Sequence, residues 1–219
     1  MMANELNKKK TFIFGLGHLA SFLLKELNPD SNIHGTCRTP QNETTIPLTH
    51  QIPYICGAPL PSMCQENWDV VIWSFPPVSH YLKCLKEAQE LFPKNIPWIF
   101  ISSTSVYKEG TVTEDSPRTA TNFRGDANLV ELEDYLMSLP RKVSILRPGG
   151  LVDAIRHPKK FIKGRTEIMA SNSKLNLVHT QDVARFIDHV ISKNLYGEHF
   201  NLVSDTQASK KEFYNKTVS

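Results

Sequence analysis

The sequence predicts an α/β fold, a doubly wound and mostly parallel sheet with helices on both faces. Three observations predict it. Short apolar runs alternate along the chain with segments whose apolar residues recur at helical spacing, the pattern of strand–helix–strand units. A glycine-rich turn, Gly15-Leu16-Gly17-His18-Leu19-Ala20, sits between the first strand and the first helix, which marks the sheet as Rossmann-type. The chain has 219 residues, 40% hydrophobic and 21% charged, which suits one soluble domain with a sizeable core.

Thr11 to Phe14 is a short apolar run stopped by glycine and reads as a buried strand. From His18 to Leu27, the residues Leu19, Phe22, Leu23 and Leu27 follow helical spacing, and Asn28-Pro29-Asp30 ends the helix. Asn32–Cys37 and Gln51–Cys56 read as the next strands, the latter followed by a loop with Pro59 and Pro61. Asp69–Trp73 is a buried strand broken by Phe75-Pro76-Pro77, and Ser79–Leu91 a helix. Trp98–Ile101 is a strand running into Ser102-Ser103, Gly110–Thr121 a loop, and Gly125–Leu139 a helix. Val143–Leu146 is a strand stopped by Pro148-Gly149-Gly150. Asp182 is expected to cap a helix carrying Val183, Ile187, Val190 and Ile191 on one side. His199–Val203 makes a last strand. Trp68, Trp73 and Trp98 are most simply core or rim aromatics.

Residues 1–10 are expected to be a disordered tail, with Lys8-Lys9-Lys10 solvated. Residues 11–219 then form a single domain, in which 149–181 contribute a small substrate-side lobe. The net charge of +3 is spread along the chain, so no basic stripe marks a nucleic-acid site. No apolar run reaches the roughly 20 residues of a membrane span. The four cysteines, Cys37, Cys56, Cys64 and Cys84, show neither C-x-x-C nor zinc spacing and read as buried free thiols. Reduced thiols and the lack of a signal peptide point to the cytoplasm.

The glycine loop carries the chemistry. Gly15 permits the tight turn, Gly17 lets the backbone approach a pyrophosphate, and Ala20 takes the place of the third glycine. The N–H groups at the helix start, around His18 and Leu19, are then placed to bind phosphate oxygens. Phe75 and Pro76, where the strand ending at Trp73 opens into its loop, are counted with these cofactor-binding residues. An acidic residue at the end of the second strand would hold the ribose of NAD. Here Gly35-Thr36-Cys37-Arg38-Thr39 has none. Arg38 suits the 2′-phosphate of NADP, so NADP is the expected cofactor and NAD the alternative. A solvated surface role is the alternative for Arg38.

Further segments resemble the extended short-chain dehydrogenase/reductase family, in its NAD-dependent epimerase/dehydratase branch. They are Phe14-Gly15-Leu16-Gly17, Ile101-Ser102-Ser103-Thr104-Ser105-Val106-Tyr107, Leu146-Arg147-Pro148-Gly149-Gly150, Val178-His179-Thr180-Gln181-Asp182-Val183-Ala184 and Phe200-Asn201-Leu202-Val203, in family order. The resemblance implies a seven-stranded sheet, a bound nicotinamide cofactor and a pocket at the carboxyl edge of the strands. It places the catalytic Ser/Thr at Ser103. It also implies a tyrosine, a lysine four residues later and a glutamate four beyond that. With Glu131 as the glutamate, the other two positions hold Ala127 and Phe123, and no tyrosine of this chain has lysine four residues on. General acid–base help is worth roughly 10²–10⁴ in rate, so catalysis here needs a substitute. Tyr107 is the nearest one, against an ordinary packing role.

Two other clusters stand out. Arg156, His157, Lys159, Lys160, Lys163 and Arg165 form a basic stretch that suits an anionic substrate or, more simply, a solvated loop. His179 and Asp182 lack a nearby nucleophile elbow, so Asp182 reads as a helix cap and His179 as a packed strand end. The C-terminal lobe is short for the family, which leaves the pocket open or covered by the second subunit of a homodimer. The expectation is an atypical NAD(P)-binding oxidoreductase or epimerase/dehydratase-like protein acting on a small carbonyl, hydroxyl or sugar-type compound, with Ser103 and Tyr107 as the candidate catalytic residues. The alternative is a non-catalytic dinucleotide-binding sensor or regulatory protein.

Overall fold

The computed structural model describes residues 9–27, 32–39, 50–76, 80–119, 123–124, 127–158, 172, 174–205 and 208–213. Strands β1 (Thr11–Phe14), β2 (Ile33–Cys37), β3 (His50–Pro53), β4 (Val70–Trp73), β5 (Trp98–Ile101), β8 (Val143–Pro148) and β11 (His199–Leu202) form one sheet in the order β11-β8-β5-β4-β1-β2-β3. Every pairing in it is parallel. The seven-stranded, doubly wound expectation therefore holds. The chain starts in the middle, winds out to β3, returns to β4 beside β1, and winds out the other way.

Alternation along the strands sorts the core by chemistry. Phe12, Phe14, Val71, Trp73, Trp98, Phe100 and Ile145 face one side, against helices α2 (Tyr81–Leu91) and α3 (Leu129–Met137). Trp73 and Trp98 stack at 5.9 Å there, and Phe14 lies 4.5 Å from Trp73. All three tryptophans are core residues, as expected. Ile13, Val70, Ile72, Ile99 and Leu146 face the other side. Helices α1 (His18–Glu26) and α4 (Thr180–Lys193) cover them, and α4 lies along α1.

Several sequence expectations change. The helix expected from Gly125 begins at Leu129, because the Asn128 side chain accepts from the N–H groups of Val130 and Glu131 and caps it there. Ahead of it lies a two-stranded antiparallel ladder, β6 (Phe123–Arg124) with β7 (Ala127–Asn128). A second ladder, β9 (Gly150–Val152) with β10 (Leu177–His179), was not anticipated. The cap of α4 is His179, whose Nδ1 accepts from the Gln181 N–H at 3.2 Å; Asp182 lies exposed within the first turn. His179 is exposed rather than packed.

Lys9 and Lys10 also belong to the fold. Lys9 donates to the Ile191 carbonyl at 3.0 Å and to the Asn194 side chain, closing the end of α4, where a cation is favoured. Lys10 pairs with Glu66 at 2.7 Å and lies over the Trp68 ring. The remainder of the expected tail, residues 1–8, lies outside the described residues. Cys56 and Cys84, expected as free thiols, are joined in a disulfide that ties the segment after β3 to the first turn of α2. Cys37 and Cys64 stay free and buried, and burial pushes the Cys64 thiol up to about 12. Among the described residues no helix is long and apolar enough to cross a membrane, and no cluster of ligands suits a metal.

Candidate cofactor and active site

Parallel strands deliver their carboxyl ends to one edge of the sheet, and the order reverses between β1 and β4. Open α/β sheets bind ligands at such a switch point. Gly15 to Gly17 lie there. Gly15 has φ +93°, which a side chain rarely tolerates, and a Cβ on it would meet the Ser74 and Phe75 backbone at 3.0 Å. The turn is pinned from the β2 side as well. The Gly15 N–H donates to Thr36 Oγ1 at 3.0 Å, and the Leu16 N–H to the Thr36 carbonyl at 2.7 Å. Gly35 lets Leu16 fit, since a Cβ there would lie 2.6 Å from its side chain.

Gly17 contrasts with Gly15. It is exposed, and among the described residues no atom beyond its chain neighbours lies within 4 Å of where its Cβ would stand. It precedes α1 as N-cap, with no side chain capping the helix. The loop therefore presents bare backbone and a helix start to open space, an arrangement suited to an anion. Leu19 is buried in the core, so only its backbone can serve a ligand. Arg38 is exposed two residues beyond Thr36, at the end of β2. Phe75 is half-buried and Pro76 exposed in the loop after β4. Phe75 stacks on Tyr54 at 5.8 Å, and its carbonyl accepts from the Tyr81 hydroxyl at 2.9 Å. The glycine loop, Arg38, Phe75 and Pro76 thus share the carboxyl edge around β1.

His18 is held elsewhere. Its Nε2 lies 2.6 Å from Oδ2 of Asp153, just beyond β9. Thr180 Oγ1 donates to the same oxygen at 2.5 Å, and the Ile155 and Arg156 N–H groups donate to Oδ1 at 2.8 and 2.9 Å. Burial opposes ionisation of Asp153, but these donors outweigh it and hold the carboxyl well below the usual carboxylate range.

Ser103 is half-buried at the end of β5, and its hydroxyl oxygen accepts from the Ser105 N–H at 3.2 Å as it caps a single 3₁₀ turn. Tyr107, four residues on, points into the protein and is 5% exposed. Arg147 donates to its hydroxyl at 2.6 Å, and the hydroxyl donates to Asn201 Oδ1 at 3.1 Å. Both of its proton relations are therefore used internally, which favours the packing role over proton transfer.

Behind Tyr107 lies a buried ionic network. Glu133 is fully buried and accepts from Ser102 Oγ at 2.5 Å, Arg118 Nη1 at 2.9 Å and Arg147 Nη2 at 2.8 Å. Burial works against the Arg147 charge, and Glu133 and Tyr107 more than offset it. Of the two glutamates early in α3, Glu131 is exposed and Glu133 buried. Counting back from Glu133 instead of Glu131 reaches Leu129 and Gly125, so neither register supplies the lysine and tyrosine. Phe123 and Ala127 themselves sit in the β6–β7 ladder rather than on a helix. In the basic stretch, Arg156 and His157 are exposed, and Lys159, Lys160, Lys163 and Arg165 lie outside the described residues.

Sequence reasoning missed Asp153, Thr180, Glu133, Arg147 and Arg118. The cue for Glu133 is weak but real: it occupies an apolar position of the α3 face between Leu132 and Leu136. Asp153 and His18 are 135 residues apart, and no local pattern joins them.

No known family profile matches the sequence. Protein YeeZ of Escherichia coli K12 is 37% identical over 146 residues, covering 64% of this chain and 53% of that protein. The match thus spans about half the length of that relative. Among solved structures, a conserved protein of unknown function from Silicibacter pomeroyi superposes with TM-score 0.75 at 21% identity, over 96% of this chain and 78% of that one. The human epimerase family protein SDR39U1, solved with NADPH, gives TM-score 0.66 at 16% identity, over 94% and 78%. The chain shares the fold of these structures, a Rossmann-type parallel sheet with helices on both faces.

Proposed function

We propose that this chain binds a nicotinamide dinucleotide at the Gly15–Gly17 loop, NADP in preference to NAD, and serves as an atypical oxidoreductase or epimerase-like protein for a small carbonyl, hydroxyl or sugar-type compound. The observation that carries the reading is the loop itself. Gly17 offers uncovered backbone at the start of α1, beside the point where the strand order reverses. The residues fit a pyrophosphate, because among the described residues no side chain fills the space over Gly17. The Gly17 N–H is turned to the Gly15 carbonyl at 2.8 Å, so the backbone N–H groups of His18 and Leu19 would hold the phosphates, Phe75 and Pro76 would border the cofactor, and Arg38 would meet the 2′-phosphate. The nicotinamide, when bound, supplies or accepts hydride. Ser103 would hydrogen-bond the substrate oxygen. The relative solved with NADPH supports the class of cofactor. The preference for NADP rests on Arg38 and on the lack of a carboxylate between Thr36 and Thr39.

A second reading, a dinucleotide-binding sensor without chemistry, is favoured by one observation. The Tyr107 hydroxyl is occupied on both sides by Arg147 and Asn201, and the ordinary tyrosine and lysine are missing. Titration with NADPH and NADH, read by fluorescence, tests the shared part. NADPH binding at least tenfold tighter than NADH is expected, with Arg38→Ala erasing the difference; tighter NADH binding refutes the preference. Carbonyl compounds supplied with NADPH separate the two readings. Turnover that falls in Ser103→Ala supports the enzyme, and binding without hydride transfer supports the sensor.

A further inference from the structure

The Asp153 carboxylate occupies an unusual place. It meets His18, the first residue of α1, and Thr180, the first residue of α4. Asp153 is 7% exposed, and both of its oxygens are hydrogen-bonded. The positive ends of two helices favour a carboxylate there. One of those ends is also the start of α1, where Gly17 leaves backbone uncovered. A fixed negative charge one side chain away opposes any anion that settles on that backbone, unless something stands between them.

His18 is what stands between them. An ionised carboxylate only accepts hydrogen bonds, so the short contact requires the proton on Nε2 of His18. Resting on the dinucleotide reading above, we infer that His18 screens Asp153 from the pyrophosphate. It is a positioning residue of the phosphate site whose side chain faces the protein's own anion rather than the cofactor's. The same pair ties the start of α1 to the segment after β9, so the phosphate loop and the expected substrate-side lobe share one hydrogen-bonded joint.

A double-mutant cycle tests this, with NADPH binding measured by fluorescence and melting temperature measured without cofactor. His18→Ala removes the donor on the side of the phosphate loop, leaving Asp153 to Thr180 and the Ile155 and Arg156 N–H groups, and should weaken NADPH binding by about 10- to 100-fold, the scale of like-charge contact. Asp153→Asn added to His18→Ala should restore most of that loss, because the opposing charge is gone. A double variant as weak as His18→Ala overturns the inference and makes His18 a direct ligand; normal binding by His18→Ala overturns it too. Circular dichroism checks each fold. If His18→Ala does not fold, His18→Leu takes its place. It fills the space of the ring without an N–H donor, and Asp153→Asn should again improve its binding; no improvement overturns the screening. If the wild type binds neither NADPH nor NADH, the screening falls together with the functional reading; if the wild type binds and the cycle shows no coupling, the screening falls alone. The melting temperatures separate a loss of binding from a loss of fold.

Discussion

Glu133→Gln should cost this protein much of its stability. The carboxylate is fully buried and accepts from Ser102, Arg118 and Arg147, so both oxygens are committed. Glutamine keeps the shape but turns one oxygen into an N–H₂ group that faces donors. It also leaves Arg147, 1% exposed, without its anion. Breaking a buried pair by removing one partner costs about 3–5 kcal/mol. For a domain of this size each kcal/mol lowers the melting temperature by about 2–4 °C, so a fall of about 6–20 °C is expected. Arg118→Ala should cost less, since the Arg118 side chain is 20% exposed and water can take its place. A Glu133→Leu, Arg147→Met double variant should be milder than Glu133→Gln, because it removes the stranded charge. The assay is thermal unfolding by circular dichroism, with urea titration as a second measure. A Glu133→Gln protein melting within about 2 °C of wild type would refute the argument that an uncompensated guanidinium is the cost.

Three further predictions follow from the same physics. Gly15→Ala should destabilise by about 1–3 kcal/mol, from positive φ and backbone contact, whereas Gly17→Ala should keep the wild-type melting temperature yet weaken dinucleotide binding by covering the open backbone. Asp153 has a depressed folded pKa, so its stabilisation is complete above the unfolded value near 3.8 and disappears as pH falls through the lower folded value. Melting temperatures of wild type and Asp153→Asn should therefore differ most at neutral pH and converge in strong acid; a constant gap contradicts the shift. Thiol titration of the denatured, unreduced chain should count two thiols, Cys37 and Cys64, and four after reduction. Reduction should also cost about 3–4 kcal/mol for a loop of 28 residues, read by urea unfolding.

The sheet was legible because buried parallel strands announce themselves. Val70–Trp73 and Trp98–Ile101 are apolar throughout, and only a strand covered on both faces reads that way. The glycine turn was legible because its need for positive φ and bare backbone is local. Helix starts were harder. Asn128 outcompetes the apparent continuation to Gly125, and His179 caps α4 where Asp182 looked the better residue. The β9–β10 ladder is three residues long on each side and gives periodicity nothing to detect. The disulfide and the two buried polar clusters join residues 14 to 135 positions apart, and only the folded chain brings them together.

The packing of α4 along α1 also bears on how the chain is made. Sheet order lets β3, β2, β1, β4 and β5 assemble from residues 11–101 alone, before the later strands leave the ribosome. Leu23 and Leu24 of α1, however, share a cluster with Val183, Ile187 and Ile191 of α4. Until those residues emerge, the nascent sheet carries a helix with a bare oily flank. That interval is when a chain cut short before residue 180 is most prone to aggregate.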